Sequence, residues 1–219
     1  MTMIRVHVFC EGQTEETFVR EVLYKHFISK QILLNPIIIR TGPQGRGGAV
    51  SYGKIKHQIE TQCQEDPSAW VTTMLDFYGL PSDFPDMNRE SDAMTRADVI
   101  QQAFQQDIVH RNFLANLIVH EFEGLLFSDP SAFGQWFDES KVESLHNVRR
   151  EYDTPEGIND SSDTAPSKRI LNTCQDYEKV LHGPLIALDI GLDIIRRECP
   201  LFDVWIQRLE ALATGVSQP

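Results

Sequence analysis

Carboxylates follow three of the four apolar stretches in this chain that read as strands. MIRVHVFC is followed by Glu11, Glu15 and Glu16; WVTTML runs into Asp76; FLANLIVH runs into Glu121 and Glu123. Side chains of this type, brought to one place, repel one another. A dry carboxylate without a partner is costly to hold or is forced to take up a proton. A hard divalent cation resolves the conflict, because Mg²⁺ and Mn²⁺ take oxygen ligands and keep waters that a substrate phosphate can replace. The chemistry expected of such a set is therefore metal-assisted attack on a phosphate, with Glu11, Asp76, Glu121, Glu123 and Glu15 as candidate metal ligands. Glu121 and Glu123, if extended, would point to one side of their strand.

The same residues admit a plain structural reading. A glutamate at a strand end can accept backbone N–H groups of the next helix, and Glu15 and Glu16 in a first helical turn suit the macrodipole. Glu16 is assigned to that role alone. His120 reads as a packed histidine at a strand end, since HEFEG lacks the second histidine of a zinc helix. Asp83 and Asp86 read as turn formers. GPQGRGG lacks the G-K-[ST] ending of a nucleotide loop, yet it could present Arg46 to a phosphate. In TAPSKRIL, Pro166 opens a helix that Thr164 or Asp163 would cap, and Lys168 and Arg169 fall in its first turn. Cations there oppose the macrodipole unless an anion such as substrate phosphate is bound.

The elements that must position these groups follow from periodicity. Residues 3–10, LNPIIIRTG, 70–79 and 113–123 read as strands. Helices are expected from about Glu15 to Ser29 with Thr14 as cap, over Tyr52–Cys63, Thr95–Val109 and Ser128–Val148, and then over Lys168–Asp176, Leu185–Glu198 and Leu201–Thr214. Strands separated by helices indicate an α/β fold with a mainly parallel four-stranded sheet flanked by helices. In such a sheet all strand C-termini share one edge, where ligands bind. The organisation expected is an α/β domain over 1–127 and a helical C-terminal extension over 128–219 packed on it. Ile186, Ile190, Ile194, Ile195, Trp205 and Leu209 form an apolar stripe expected in the core. The polar loop at 151–167 exceeds the usual connection length, as functional or mobile loops do.

Composition sets outer limits. A net charge of −12 argues against a protein that coats nucleic acid by bulk positive charge. It leaves room for an enzyme whose ion and local basic strips, Arg40–Lys56 or Lys168 and Arg169, reverse the sign where it matters. Cys10, Cys63, Cys174 and Cys199 form no C-x-x-C pair and read as free thiols of a reducing cytoplasm. No apolar run reaches the roughly 20 residues that span a bilayer, and MTMIRVHVF lacks the pattern of a signal peptide.

Taken together and in order, CEGQTEE, MLDFYGLPSDFP, HEFEGLLFSDP, APSKRI and IGLDIIRRECPLFDVW resemble the bacterial family known as domain of unknown function 4276. That family in turn looks like the Toprim fold of topoisomerases, primases and overcoming-lysogenization-defect nucleases. The resemblance implies that Glu11 is the invariant glutamate of the first motif, with Glu15 an acid nearby, and that Asp76 is the first acid of the Asp-x-Asp motif. Position 78 is Tyr, so the second acid is missing and a standard two-metal arrangement is in question. Glu121 or Glu123 would substitute for it, and Lys168 would stand in for the catalytic lysine. The resemblance further implies a Mg²⁺- or Mn²⁺-dependent nuclease working with an ABC-type ATPase, often in phage defence. The alternative is a non-catalytic subunit with a degenerate metal site.

Overall fold

The computed structural model describes residues 3–40, 51–87, 93–159 and 164–214. Arg46 with its glycine-rich loop, and Asp163, lie outside the described residues. No helix among those described is long and apolar enough to cross a membrane.

Five strands form one parallel sheet: β1 (Ile4–Cys10), β2 (Ile32–Ile38), β3 (Trp70–Asp76), β4 (Phe113–Leu114) and β5 (Leu117–Ile118). Their order is β2-β1-β3-β4, with β5 also paired to β3, so the sheet is four strands wide with a broken edge strand. β1 runs beside β2 from Ile4↔Ile32 and beside β3 from Val6↔Trp70. Val6, Val8, Phe9 and Cys10 are all buried, the near-continuous apolar pattern of a strand covered on both faces. Alternation divides them. Val6, Val8 and Cys10 join Phe18, Leu23, Phe27, Ile186 and Trp205 in one apolar cluster. Phe9 joins Val71, Leu75, Ile55, Ile59 and Phe104 in the other.

The helical run after β1 begins at α1 (Gln13–Phe18), passes through a π turn at Val19–Leu23 and continues as α2 (Tyr24–Ser29). Its cap is Gly12 rather than Thr14, because the Glu15 carboxylate turns back to accept the Gly12 N–H at 2.9 Å. α3 (Tyr52–Glu65) and α4 (Ala93–Asp107) cover the opposite face. The stretch 128–148 is not one helix: a 3-10 helix at Pro130–Gln135 precedes α5 (Glu139–Arg150). The chain ends in α6 (Pro166–Thr173), α7 (Lys179–Ile190), α8 (Leu192–Glu198) and α9 (Pro200–Ala211). The helix expected over 185–198 is thus two helices, parted at Gly191, whose φ of 81° suits glycine. The predicted apolar stripe is core: Ile186, Ile190, Ile195, Trp205 and Leu209 are buried, and Ile194 packs against them. All four cysteines are free and buried.

Two predicted strands end early, with consequences for the site. β3 stops at Asp76, and Phe77–Gly79 form a 3-10 turn. The strand expected over 113–123 is two short pieces followed by a 3-10 helix at Phe122–Ser128. Glutamines of α4 serve the interrupted backbone. Gln105 accepts from Ala115 N–H at 2.8 Å and donates to the Phe113 carbonyl at 3.1 Å, while Gln101 accepts from Leu117 N–H at 2.8 Å. His120 then reverses the chain with φ 63°, an uncommon conformation for a bulky residue. Glu121 and Glu123 therefore do not share one extended segment.

Candidate active site

Glu11, Glu15, Asp76 and Glu123 come together at the edge where β1 and β3 end. Glu11 is the first residue beyond β1, and its Oε2 accepts the Asp76 N–H at 3.3 Å across the neighbouring strand. Gly79 makes room for it: a Cβ at that position would lie 2.6 Å from Glu11 Oε2. Asp76 is 4% exposed, and its Oδ1 accepts the Phe122 N–H at 2.9 Å. That bond ties the end of β3 to the 3-10 helix that carries Glu123. Glu15 is 2% exposed and Glu123 1% exposed.

The positive group among them is Lys179, at the start of α7. Its Nζ lies 3.2 Å from Glu123 Oε2, 3.4 Å from Asp76 Oδ2 and 3.7 Å from Glu15 Oε1. The Asp76 contact is a hydrogen bond and the shorter Glu123 contact a close ion pair; Glu123 Oε1, on the other side of that carboxylate, has no hydrogen bond. Glu15 Oε1 and the buried Tyr177 hydroxyl are without one as well.

Four carboxylates face one ammonium, and the electrostatics follow from that imbalance. Burial, with Glu11, Glu15 and Glu123 adding to it, pushes the Asp76 carboxyl well above the usual carboxylate range against the opposing pull of Lys179. Burial likewise raises Glu123, again opposed by Lys179. Burial and the nearby Glu15 raise Glu11. Glu11 is exposed toward a cavity yet closely surrounded by protein on its other sides, and this crowding desolvates it. Burial disfavours the Lys179 ammonium, but Asp76, Glu123 and Glu15 outweigh it and raise that group too. Acids and base shift the same way because the acids outnumber the base.

Residues expected at the site and found elsewhere have specific occupations. Glu121 Oε2 accepts the Ser167 N–H at 3.0 Å, at the start of α6. The anion at that helix N-terminus is thus a carboxylate of the chain itself, in the place where a substrate phosphate was expected. Lys168 is exposed in the first turn of α6. Arg169 donates to the Thr164 carbonyl at 2.7 Å and to the Tyr152 hydroxyl at 2.6 Å, which ties Tyr152 to the start of α6. His120 is buried as expected, and that burial pushes its pKa down to about 4, so its ring is neutral. Tyr78, standing where a second acid was expected, stacks on this ring at 5.2 Å.

Lys179 escaped sequence reasoning, although DYEKVLHGP holds a signal. Gly183 lies four residues after Lys179, on the same helix face. A Cβ at Gly183 would come within 3.1 Å of Phe122 and of the Tyr177 hydroxyl and 3.3 Å of Thr14. A glycine inside a helix often marks such a close approach. Here it lets α7 lie against α1, which places Lys179 over the acids one turn earlier.

The donor set suits a hard divalent cation, since buried carboxylate oxygens lacking donors are what such an ion binds. Among the described residues, no three Asp, Glu, His or Cys side chains already stand in ligating geometry. The ammonium of Lys179 lies where an ion would neutralise them.

No curated protein matches this sequence. Among solved structures, the C-terminal region of the Xanthomonas campestris pv. campestris OLD protein is similar at 13% identity, with 98% of each chain covered and a TM-score of 0.49. The C-terminal region of the Burkholderia pseudomallei OLD protein is similar at 15% identity, with 94% of this chain and 98% of that one covered and a TM-score of 0.40. The family described as Domain of unknown function (DUF4276) matches residues 10–210, nearly the whole chain, and the protein belongs to that family.

Proposed function

We propose that this protein is a metal-dependent phosphodiesterase acting on nucleic acid, with Mg²⁺ or Mn²⁺ held by Glu11, Asp76, Glu123 and Glu15. One observation carries the reading: carboxylates from three separate segments converge at the strand-end edge around a single ammonium, and two of their buried oxygens, Glu15 Oε1 and Glu123 Oε1, have no hydrogen bond. A cluster kept only for stability would be expected to have those oxygens satisfied. The Toprim-like motifs seen in the sequence agree with this assignment.

A bound divalent ion would supply Lewis acidity toward a phosphoryl oxygen and offset negative charge there. The chain's own residues do the positioning. Glu15 is aimed by its bond to Gly12, and Asp76 by its bond to Phe122. Lys179, with 40% of its side chain exposed, can turn from the acids toward a substrate phosphate and stabilise charge developing on it. This is the role that the family resemblance had suggested for Lys168. The acidic net charge implies weak grip by this chain alone, so an ABC-type ATPase partner, in a phage-defence setting, would supply much of the contact.

The test is nicking of plasmid DNA and cleavage of RNA in Mg²⁺ or Mn²⁺ by the wild type, Asp76→Asn and Glu123→Gln. Loss of cleavage in both variants is expected. Equal activity in all three proteins would remove the proposal. The second reading, a non-catalytic subunit, draws on Lys179 neutralising the acids and on Tyr78 replacing an acid. It predicts no heat of Mn²⁺ binding in calorimetry.

A further inference from the structure

A cavity of about 620 Å³ opens beside the acid cluster, with Glu11 in its wall. Its walls are apolar: Ile39 beyond β2, Ile55 of α3, Leu75 of β3 and Leu80 of the following turn, all four buried side chains. Ser82 and Asp83 stand exposed at its rim. The Asp83 carboxylate also accepts the Tyr52 N–H at 3.0 Å, so the rim is tied to the start of α3.

The lining constrains the ligand. Among the described residues it holds no Lys or Arg, and its two charged groups are both carboxylates. Those two carboxylates disfavour an anion beside them. A flat, neutral ring with amino donors on its edge fits, since it can lie against the apolar walls and donate to Asp83 and Glu11. The volume lies within the range of about 300–1,000 Å³ usual for small-ligand sites.

We propose that this cavity receives an unpaired base next to the phosphate to be cleaved, so that the substrate is single-stranded nucleic acid or a frayed strand end. The inference rests on the nuclease reading of the acid cluster and adds its substrate class. Glu11 links the two, belonging both to the acids and to the cavity wall. A base within a duplex cannot enter without leaving its stack, and unpairing is least costly where the strand is already single. Adenine and cytosine carry an exocyclic amino group with two N–H donors, whereas an unpaired thymine offers a single N3–H between two carbonyl acceptors that a carboxylate repels. The carboxylates of Asp83 and Glu11 therefore favour amino-bearing bases.

Binding can be read apart from cleavage, with fluorescent oligo(dA), oligo(dT) and the dA·dT duplex in Ca²⁺. The wild type is expected to bind oligo(dA) about tenfold tighter than either alternative. Ser82→Trp, at an exposed position, should fill the mouth and abolish both preferences. Asp83→Asn should abolish the preference for dA over dT while keeping single strand over duplex. Equal binding of the three ligands, binding of none, or preferences that survive both variants would overturn the proposal. The nuclease reading is decided separately, by metal-dependent cleavage in the wild type.

Discussion

Replacing Lys179 by Met keeps the length of the side chain and removes its charge. Three buried or nearly buried carboxylates then lose the ammonium that lies 3.2–3.7 Å from them. Breaking a buried ion pair by deleting one partner costs roughly 3–5 kcal/mol. Since 40% of the Lys179 side chain reaches water, screening reduces this to about 2 kcal/mol near neutral pH. For a chain of this length that corresponds to a fall in Tm of about 4–8 °C. The penalty should shrink on acidification. Asp76, Glu123 and Glu11 have folded pKa values raised above their unfolded ones, so the folded state binds protons more readily. Stability tied to these groups is present at low pH and is lost as pH rises through the raised values. Mn²⁺ should restore what the substitution removes and bind the variant more tightly than the wild type, because it no longer competes with an ammonium. Differential scanning calorimetry over a pH series, with and without Mn²⁺, measures all of this. A variant as stable as the wild type, showing no shift with Mn²⁺, would refute the view that the acids need a cation at that point.

Gly79→Ala would put a methyl group against the Glu11 carboxylate, within 2.6 Å of Oε2. The carboxylate must move, so calorimetry should show Mn²⁺ affinity falling about tenfold or more while Tm changes little. Glu156 accepts the Leu201 and Phe202 N–H groups at 3.0 and 2.8 Å, serving as the cap of α9 from a distant loop. Glu156→Ala should cost about 1–2 kcal/mol in urea unfolding without altering Mn²⁺ binding.

The order of strands and helices was legible because parallel strands covered on both faces leave an apolar signature, as β1 and β3 do. Glu11 and Asp76 were legible as strand-end acids for the same reason; Glu15 was legible as an acid of the turn that follows, and Glu123 only as the end of a strand that stops earlier, at Ile118. What escaped was contact across long sequence separations. Glu121 and Glu123 look alike in HEFEG, yet a reversal at His120 sends one to the start of α6 and the other into the acids. Lys168 and Lys179 both lie at helix starts. Only the close approach at Gly183 decides which reaches the cluster. The N-terminal cap moved from Thr14 to Gly12 because the Glu15 carboxylate reaches back to the Gly12 N–H and starts the helix two residues earlier.

The glutamines of α4 have a consequence for how another protein can meet this one. Gln101 and Gln105 already occupy backbone groups at the β4–β5 margin of the sheet. At the opposite margin β2 carries Pro36, which has no amide hydrogen to offer. Growth of the sheet by an incoming strand is hindered on both flanks, so fibre-like stacking is discouraged and a companion subunit would be met through helical faces and loops.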